Sequence, residues 1–237
     1  MMRTIALALY FSLALLLVMP WLLLWSALAG SPDLMYACAM KAVRLGNRIV
    51  GIRVRIEGVD KIPAGPCVFA ANHISAVDPL AFVPAIPRRV SLLVKRELFR
   101  VPILASAMRF AQFVPVDRGD PEAAAASVET AVERLKEGLS FAVYAEGTRS
   151  RDGRLRPFKK GAFVMAIQTG APVVPVSISG AQHLMRKGDW VLHPGEVLVR
   201  FGPAVDASPY TMDQRSELLA RVESLVAAGL PPDQRPS

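Results

Sequence analysis

Charge is missing from the start of this chain: between Thr4 and Pro32 there is no Asp, Glu, Lys or Arg. That excludes an ordinary solvated surface helix there, whose outer face would carry polar groups. Aromatic residues are scarce, at 7%, and do not alternate with basic ones, so the stacking platforms of a single-strand nucleic-acid binder are lacking. The two cysteines, Cys38 and Cys67, imply no disulfide framework and no zinc spacing, a usage compatible with a reducing cytosol. His183 and His193 have no ligand-like neighbours in the sequence and read as surface or structural residues, so no metal site is expected. No Gly-x-Ser-x-Gly occurs, which removes the strained serine elbow of the α/β hydrolases. Neither an internal repeat nor a low-complexity linker is present.

What is there begins with length: 237 residues suit one domain plus an appendage. Hydrophobic residues make up 52% and the mean hydropathy is +0.34, much of it from the uncharged N-terminal run. A helix needs roughly 20 apolar residues to cross the hydrocarbon core, and this run is long enough. Trp21 and Trp25 lie toward its far end, where indoles favour the interface. Three readings compete: a retained membrane anchor, which the length favours; a signal peptide, for which Arg3 and Ala27-Leu28-Ala29 speak; and a buried core helix. Pro20 is a candidate kink. Tyr36 to Val50 reads as a second helix at the interface, with Lys41, Arg44 and Arg48 suited to anionic headgroups. The formal net charge of +8 points to anionic partners, and beside a membrane segment lipid is the better one than nucleic acid.

Beyond the anchor, short apolar runs alternate with amphipathic ones. Strands are expected over 50–56, 67–71, 90–94, 113–116, 140–144, 173–178 and 196–201, with 67–71 apolar throughout and therefore central. Helices are expected over 78–86, up to Phe110, over 121–138, 158–169 and 212–228, with Pro121 starting the clearest one. The alternation predicts an α/β domain with a central, largely parallel sheet flanked by helices. The expected organisation is an anchor and interfacial helix over 1–49, a domain over 50–230, and a frayed Pro-rich tail over 231–237.

Four segments carry candidate chemistry. In Asn72-His73-Ile74-Ser75-Ala76-Val77-Asp78, a strand delivers His73 to its end and Asp78 opens the next helix. Five residues across that turn let the carboxylate fold back on one imidazole nitrogen, leaving the other to take a proton from a hydroxyl; a bare helix cap at Asp78 is the simpler alternative. In Phe113-Val114-Pro115-Val116-Asp117-Arg118-Gly119, Arg118 is a planar charged fork suited to phosphate, or else a surface partner of Asp117. Tyr144-Ala145-Glu146-Gly147-Thr148-Arg149-Ser150 again follows a strand, and a basic run continues to Lys160 against a single acid, Asp152. Such a run is a solvated face or steers anions. Ala171 to Ser177 reads as core in preference to an acyl-binding wall.

In order and spacing these four blocks resemble the four motifs of the glycerolipid acyltransferase family, over roughly residues 50 to 205. Asn72, His73 and Asp78 match its Asn-His-x-x-x-x-Asp motif. Val116-Asp117-Arg118 is the close part of the second match. Tyr144 to Ser150 matches Phe-Pro-Glu-Gly-Thr-Arg-Ser, with Tyr144-Ala145 in place of Phe-Pro. Val174 to Val176 matches the fourth. The resemblance implies that His73 is a general base and Asp78 its orienting partner. It also implies that Asn72, Arg118, Glu146, Gly147, Thr148 and Arg149 bind substrate, with Glu146 orienting Arg149, Arg118 or a glycerol hydroxyl. By the same resemblance no cofactor is bound. The acyl donor is acyl-coenzyme A or acyl-acyl carrier protein, and the acceptor is a lysophospholipid, above all lysophosphatidate. Lyso-ornithine lipid, lysophosphatidylglycerol and glycerol 3-phosphate are the alternatives. The expected place is the cytoplasmic membrane, with the catalytic domain facing the cytoplasm.

Overall fold

The computed structural model describes residues 1–117, 119–185 and 188–236. The N-terminal helix is α1 (Met2–Leu13) and α2 (Met19–Ala29), joined by a wider π-type stretch over Ala14–Val18. That stretch ends just before Pro20, whose ring cannot fit an ordinary turn and whose nitrogen has no hydrogen to donate. Together they form one helix of 28 residues, apolar and long enough to cross a membrane. Gly30, in the left-handed conformation, turns the chain into α3 (Asp33–Val50).

The sheet follows: β1 (Ile52–Glu57), β2 (Val68–Ala71), helix α4 (Asp78–Ala85), β3 (Val90–Lys95), α5 (Pro102–Phe110), β4 (Val114–Val116), α6 (Pro121–Lys136), β5 (Ser140–Tyr144), α7 (Gly161–Thr169), β6 (Val173–Ser179), a short α8 (Ala181–Leu184), β7 (Gly195–Phe201) and α9 (Arg215–Gly229). Seven strands lie in the order β1-β7-β6-β2-β5-β3-β4. β6, β2, β5, β3 and β4 run parallel, while β7 pairs antiparallel to β6 and carries β1 with it. The sheet is thus largely parallel, as expected.

Alternation along the central strand builds both cores. Cys67, Phe69 and Ala71 enter the layer with Phe82, Ile74 and Phe201, covered by α3 and α4. Val68 and Ala70 enter the opposite layer with Phe141, Phe163 and Leu218, covered by α6, α7 and α9. β2 and β6 are buried along their whole length, so Val173 to Ser177 is core. Burial also pushes the Cys67 thiol up to about 11, out of the range of a nucleophile.

The N-terminal helix is built into this fold. The Arg3 guanidinium donates to the Val50 carbonyl at 2.8 Å, the Tyr10 hydroxyl to Ala42 at 3.0 Å, and the Leu192 amide to the Thr4 hydroxyl at 2.9 Å. Gly46 on α3 makes the close approach feasible, since a Cβ there would meet Phe11, Tyr10 and Leu7 at 3.1–3.2 Å. Leu7, Met19, Leu22 and Leu23 pack on the core, while Leu9, Leu13, Leu17, Trp21, Trp25 and Leu28 remain exposed. The boundary expected at 49/50 is therefore bridged by packing. The tail also differs from the frayed end expected: Gln234 is buried, and its carbonyl accepts the Leu155 amide at 2.8 Å.

Candidate active site

Parallel strands end on the same edge, so the segments after β2, β4, β5 and β6 are gathered at the carboxyl side of the sheet, where such sheets bind ligands. His73 stands two residues past β2. Its Nδ1 lies 2.7 Å from Asp78 Oδ2, and the imidazole is 13% exposed while Asp78 is fully buried. The same carboxylate oxygen accepts the Ile74 and Ser75 amides at 2.7 and 2.8 Å. Asp78 is thus more than a helix cap: it folds the 73–78 turn onto itself and fixes the ring. Charge-assisted bonds of this length hold a geometry well. Ser75 ties the turn outward, its hydroxyl donating to the Met185 carbonyl at 2.6 Å.

The loop after β5 grips the His73 backbone from both sides. The His73 amide donates to Glu146 Oε1 at 2.8 Å, and the Ser150 amide donates to the His73 carbonyl at 2.8 Å. Gly147 makes this turn with φ at 72°, which an L side chain rarely adopts. Glu146 is buried. Desolvation, with a smaller contribution from the Asp78 charge and against the lowering effect of the His73 amide, raises its carboxyl to about 8. Its Oε2 is buried, with no hydrogen-bond partner among the described residues.

Tyr144 completes the setting. Its ring stacks on His73 with centroids 4.0 Å apart and planes 20° apart, and Phe82 meets its edge. Burial, and to a lesser extent the Asp78 charge, pushes its phenol well above the usual value. Both its hydroxyl and Asp78 Oδ1 are buried without a partner. A cavity of about 280 Å³ opens beside this loop, lined by Leu93, Val116, Val128, Tyr144, Gly147 and Lys159 among others.

His73 and Asp78 therefore meet as expected, while one assignment changes. Asn72 is not available to substrate: it is fully buried, its amide donates to the Ile178 carbonyl at 2.9 Å and its oxygen accepts the Ile178 amide at 2.7 Å. It clamps the end of β2 to β6. The turn at Gly147 directs the Glu146 carboxylate inward, where one oxygen accepts the His73 amide and the Arg156 charge acts on it. Thr148 and Arg149 lie half-buried on the loop. Arg118 lies outside the described residues; Val116, two residues before it, lines the same cavity as Gly147. Tyr144 was missed as a site residue. The signal available was its place at the end of the apolar run that leads into Glu146-Gly147-Thr148; the register sets it opposite Ala71, one residue before Asn72. Among the described residues no three His, Cys, Asp or Glu side chains gather as a metal site would require.

Comparison with known proteins agrees with this geometry. The acyltransferase family model matches residues 53–179. The chain is 31% identical over 206 residues to a 1-acyl-sn-glycerol-3-phosphate acyltransferase of Limnanthes douglasii, covering 82% of this chain and 73% of that one. It is 30% identical over 187 residues to a protein of the same name from Pseudomonas aeruginosa, covering 78% and 72%. Among solved structures, the 1-acyl-sn-glycerophosphate acyltransferase PlsC of Thermotoga maritima superposes with a TM-score of 0.79 at 30% identity, over 96% of this chain and 95% of that one. With the family model matched over more than half of its length and the His73–Asp78 pair at the sheet's carboxyl edge, this chain belongs to the acyltransferase family and is an O-acyltransferase.

Proposed function

We propose that the enzyme transfers an acyl chain from an acyl thioester to the free hydroxyl of 1-acyl-sn-glycerol 3-phosphate, giving phosphatidate, with His73 as general base. The observation that carries this reading is the 2.7 Å contact of His73 Nδ1 with buried Asp78, which leaves Nε2 to face the acceptor. Nε2 takes the hydroxyl proton as the oxygen attacks the thioester carbonyl. The tetrahedral intermediate then expels the thiolate, which recovers that proton from the imidazolium. Asp78 holds the tautomer and stabilises the transient cation. No enzyme nucleophile is needed, since the acceptor supplies the oxygen.

The phosphate of the acceptor falls to Arg149 and Arg118, whose forks suit it, and Gly147 and Thr148 complete the substrate-binding set. Glu146 and Asn72 act on the fold of the site, not on the substrate. The cavity beside Tyr144 and Gly147, apolar but for Lys159, suits the start of the donor's acyl chain. Either coenzyme A or acyl carrier protein serves as the thiol. The exposed apolar side of the N-terminal helix rests in the membrane that holds the acceptor and the product, with the domain on the cytoplasmic side, where acyl thioesters are made.

A panel of acceptors tests the assignment. Purified enzyme receives a long-chain acyl-coenzyme A with lysophosphatidate, lysophosphatidylglycerol, lyso-ornithine lipid or glycerol 3-phosphate. The expected result is phosphatidate formed fastest, from lysophosphatidate; preferential acylation of any other member would overturn it.

A further inference from the structure

A second cleft, of about 350 Å³, lies between α3, β1 and α4. None of its lining residues belongs to the His73 site. Its floor is apolar, from Ile52, Val54, Leu80 and Pro84, and two arginines of α3 border it, Arg44 and Arg48. Arg44 is held in place by donating to the Pro84 carbonyl at 2.6 Å. Arg48 has no side-chain hydrogen bond or ion pair among the described residues. By contrast Arg55, on β1, is neutralised by Glu57 at 2.9 Å.

Two arginines on the rim of an apolar floor, with no acidic residue lining the cleft, match an anion attached to an apolar body. Arginine forks suit phosphate in particular. The same helix α3 packs through Gly46 and Ala42 on the apolar N-terminal helix, so the cleft and that helix share one element. We propose that this cleft binds the phosphate of an anionic membrane phospholipid, at a site separate from the acceptor site. The phosphate is taken by Arg48 with Arg44 as the fixed second donor, and the glycerol and first methylenes lie on the floor. Since α4 lines the cleft with Leu80 to Ala85 and begins at Asp78, a bound lipid braces the helix that orients His73. The inference rests on the membrane association proposed above but not on the identity of the acceptor.

Binding is measured on full-length protein in a neutral detergent by native mass spectrometry, with dioleoyl phosphatidylglycerol, a lipid without the free hydroxyl of a lysophospholipid acceptor chain, against dioleoyl phosphatidylcholine. Thermal unfolding is followed in parallel. The unmutated protein is expected to retain phosphatidylglycerol selectively and to melt higher with it. The pair Arg44→Gln with Arg48→Gln is expected to weaken that binding by about tenfold or more and to abolish the thermal shift. The pair Lys41→Gln with Lys61→Gln, which removes the same charge outside the cleft, is expected to leave both intact. Equal binding by all three proteins, or equal weakening in both pairs, would overturn the site. Adenosine 3′,5′-bisphosphate, the soluble phosphate source carried by coenzyme A, is expected not to displace the lipid; displacement would reassign the cleft to the donor and overturn the lipid proposal. None of these readouts needs turnover, so a wrong acceptor assignment would leave them unchanged.

Discussion

His73 owes its orientation to three parts of the chain: the Asp78 carboxylate on its ring, the Tyr144 ring on its face, and the Glu146–Ser150 loop on its peptide. Each contact predicts a different outcome. Tyr144→Phe keeps the stack and removes a buried hydroxyl that has no partner. It should leave kcat within a few-fold and raise stability by about 1 kcal/mol in thermal unfolding. A large drop in kcat would instead show the hydroxyl acting on the His73–Asp78 pair. Glu146 carries a pH signature. Its folded value of about 8 lies above the ordinary 4.5, so the folded state holds the proton that the unfolded state releases. Stability relative to Glu146→Gln should therefore fall as pH rises from about 4.5 to about 8 and be level outside that window. Denaturant unfolding of both proteins across pH 4–9 checks the sign; a difference that grows with pH would contradict it. Asn72→Ala strips Ile178 of two hydrogen bonds and should cost about 2–4 kcal/mol, with acceptor KM unchanged in whatever folds.

At the scale of elements, the sequence was most legible where one period governed a whole segment. β5 runs over 140–144 and β6 over Val173–Ser179, within a residue of what apolar runs bounded by Gly and Pro require. The 73–78 turn was legible for another reason: five residues between a strand end and a helix start leave few ways to arrange two side chains. Asn72 was misread because its partner, the Ile178 peptide, is distant in sequence, and the contact of Glu146 with the His73 amide was hidden for the same reason. An exposed polar ligand and a buried backbone clamp ask for the same residue types. The hairpin of the N-terminal helix with α3 hid in the same way, since Gly46 matters only for what lies across from it. Gly46→Leu places bulk where a Cβ alone would approach Phe11 and Tyr10 at 3.1 Å. It should lower the melting temperature in detergent by several degrees and speed proteolysis near Gly30, whereas Lys41→Leu on the exposed face should not.

For the whole molecule, sequence length and composition could not say whether the uncharged run swings free of the domain or rests on it. Three hydrogen bonds and four apolar side chains join it to the domain, so it is a layer of the fold with one side left apolar. Deleting residues 1–30 should thus uncover α3 and α5 and yield aggregated protein in size-exclusion chromatography without detergent; a monodisperse, active remainder would mean the helix is a detachable tether. The central claim, however, is chemical: the acceptor's proton leaves through His73. The most direct measurement is the acyl-transfer rate of His73→Ala against the unmutated enzyme in the same detergent, with lysophosphatidate and a long-chain acyl-coenzyme A. A fall of about 10²–10⁴ with an unchanged melting temperature is the predicted result; a rate within a few-fold of the unmutated enzyme would contradict the account.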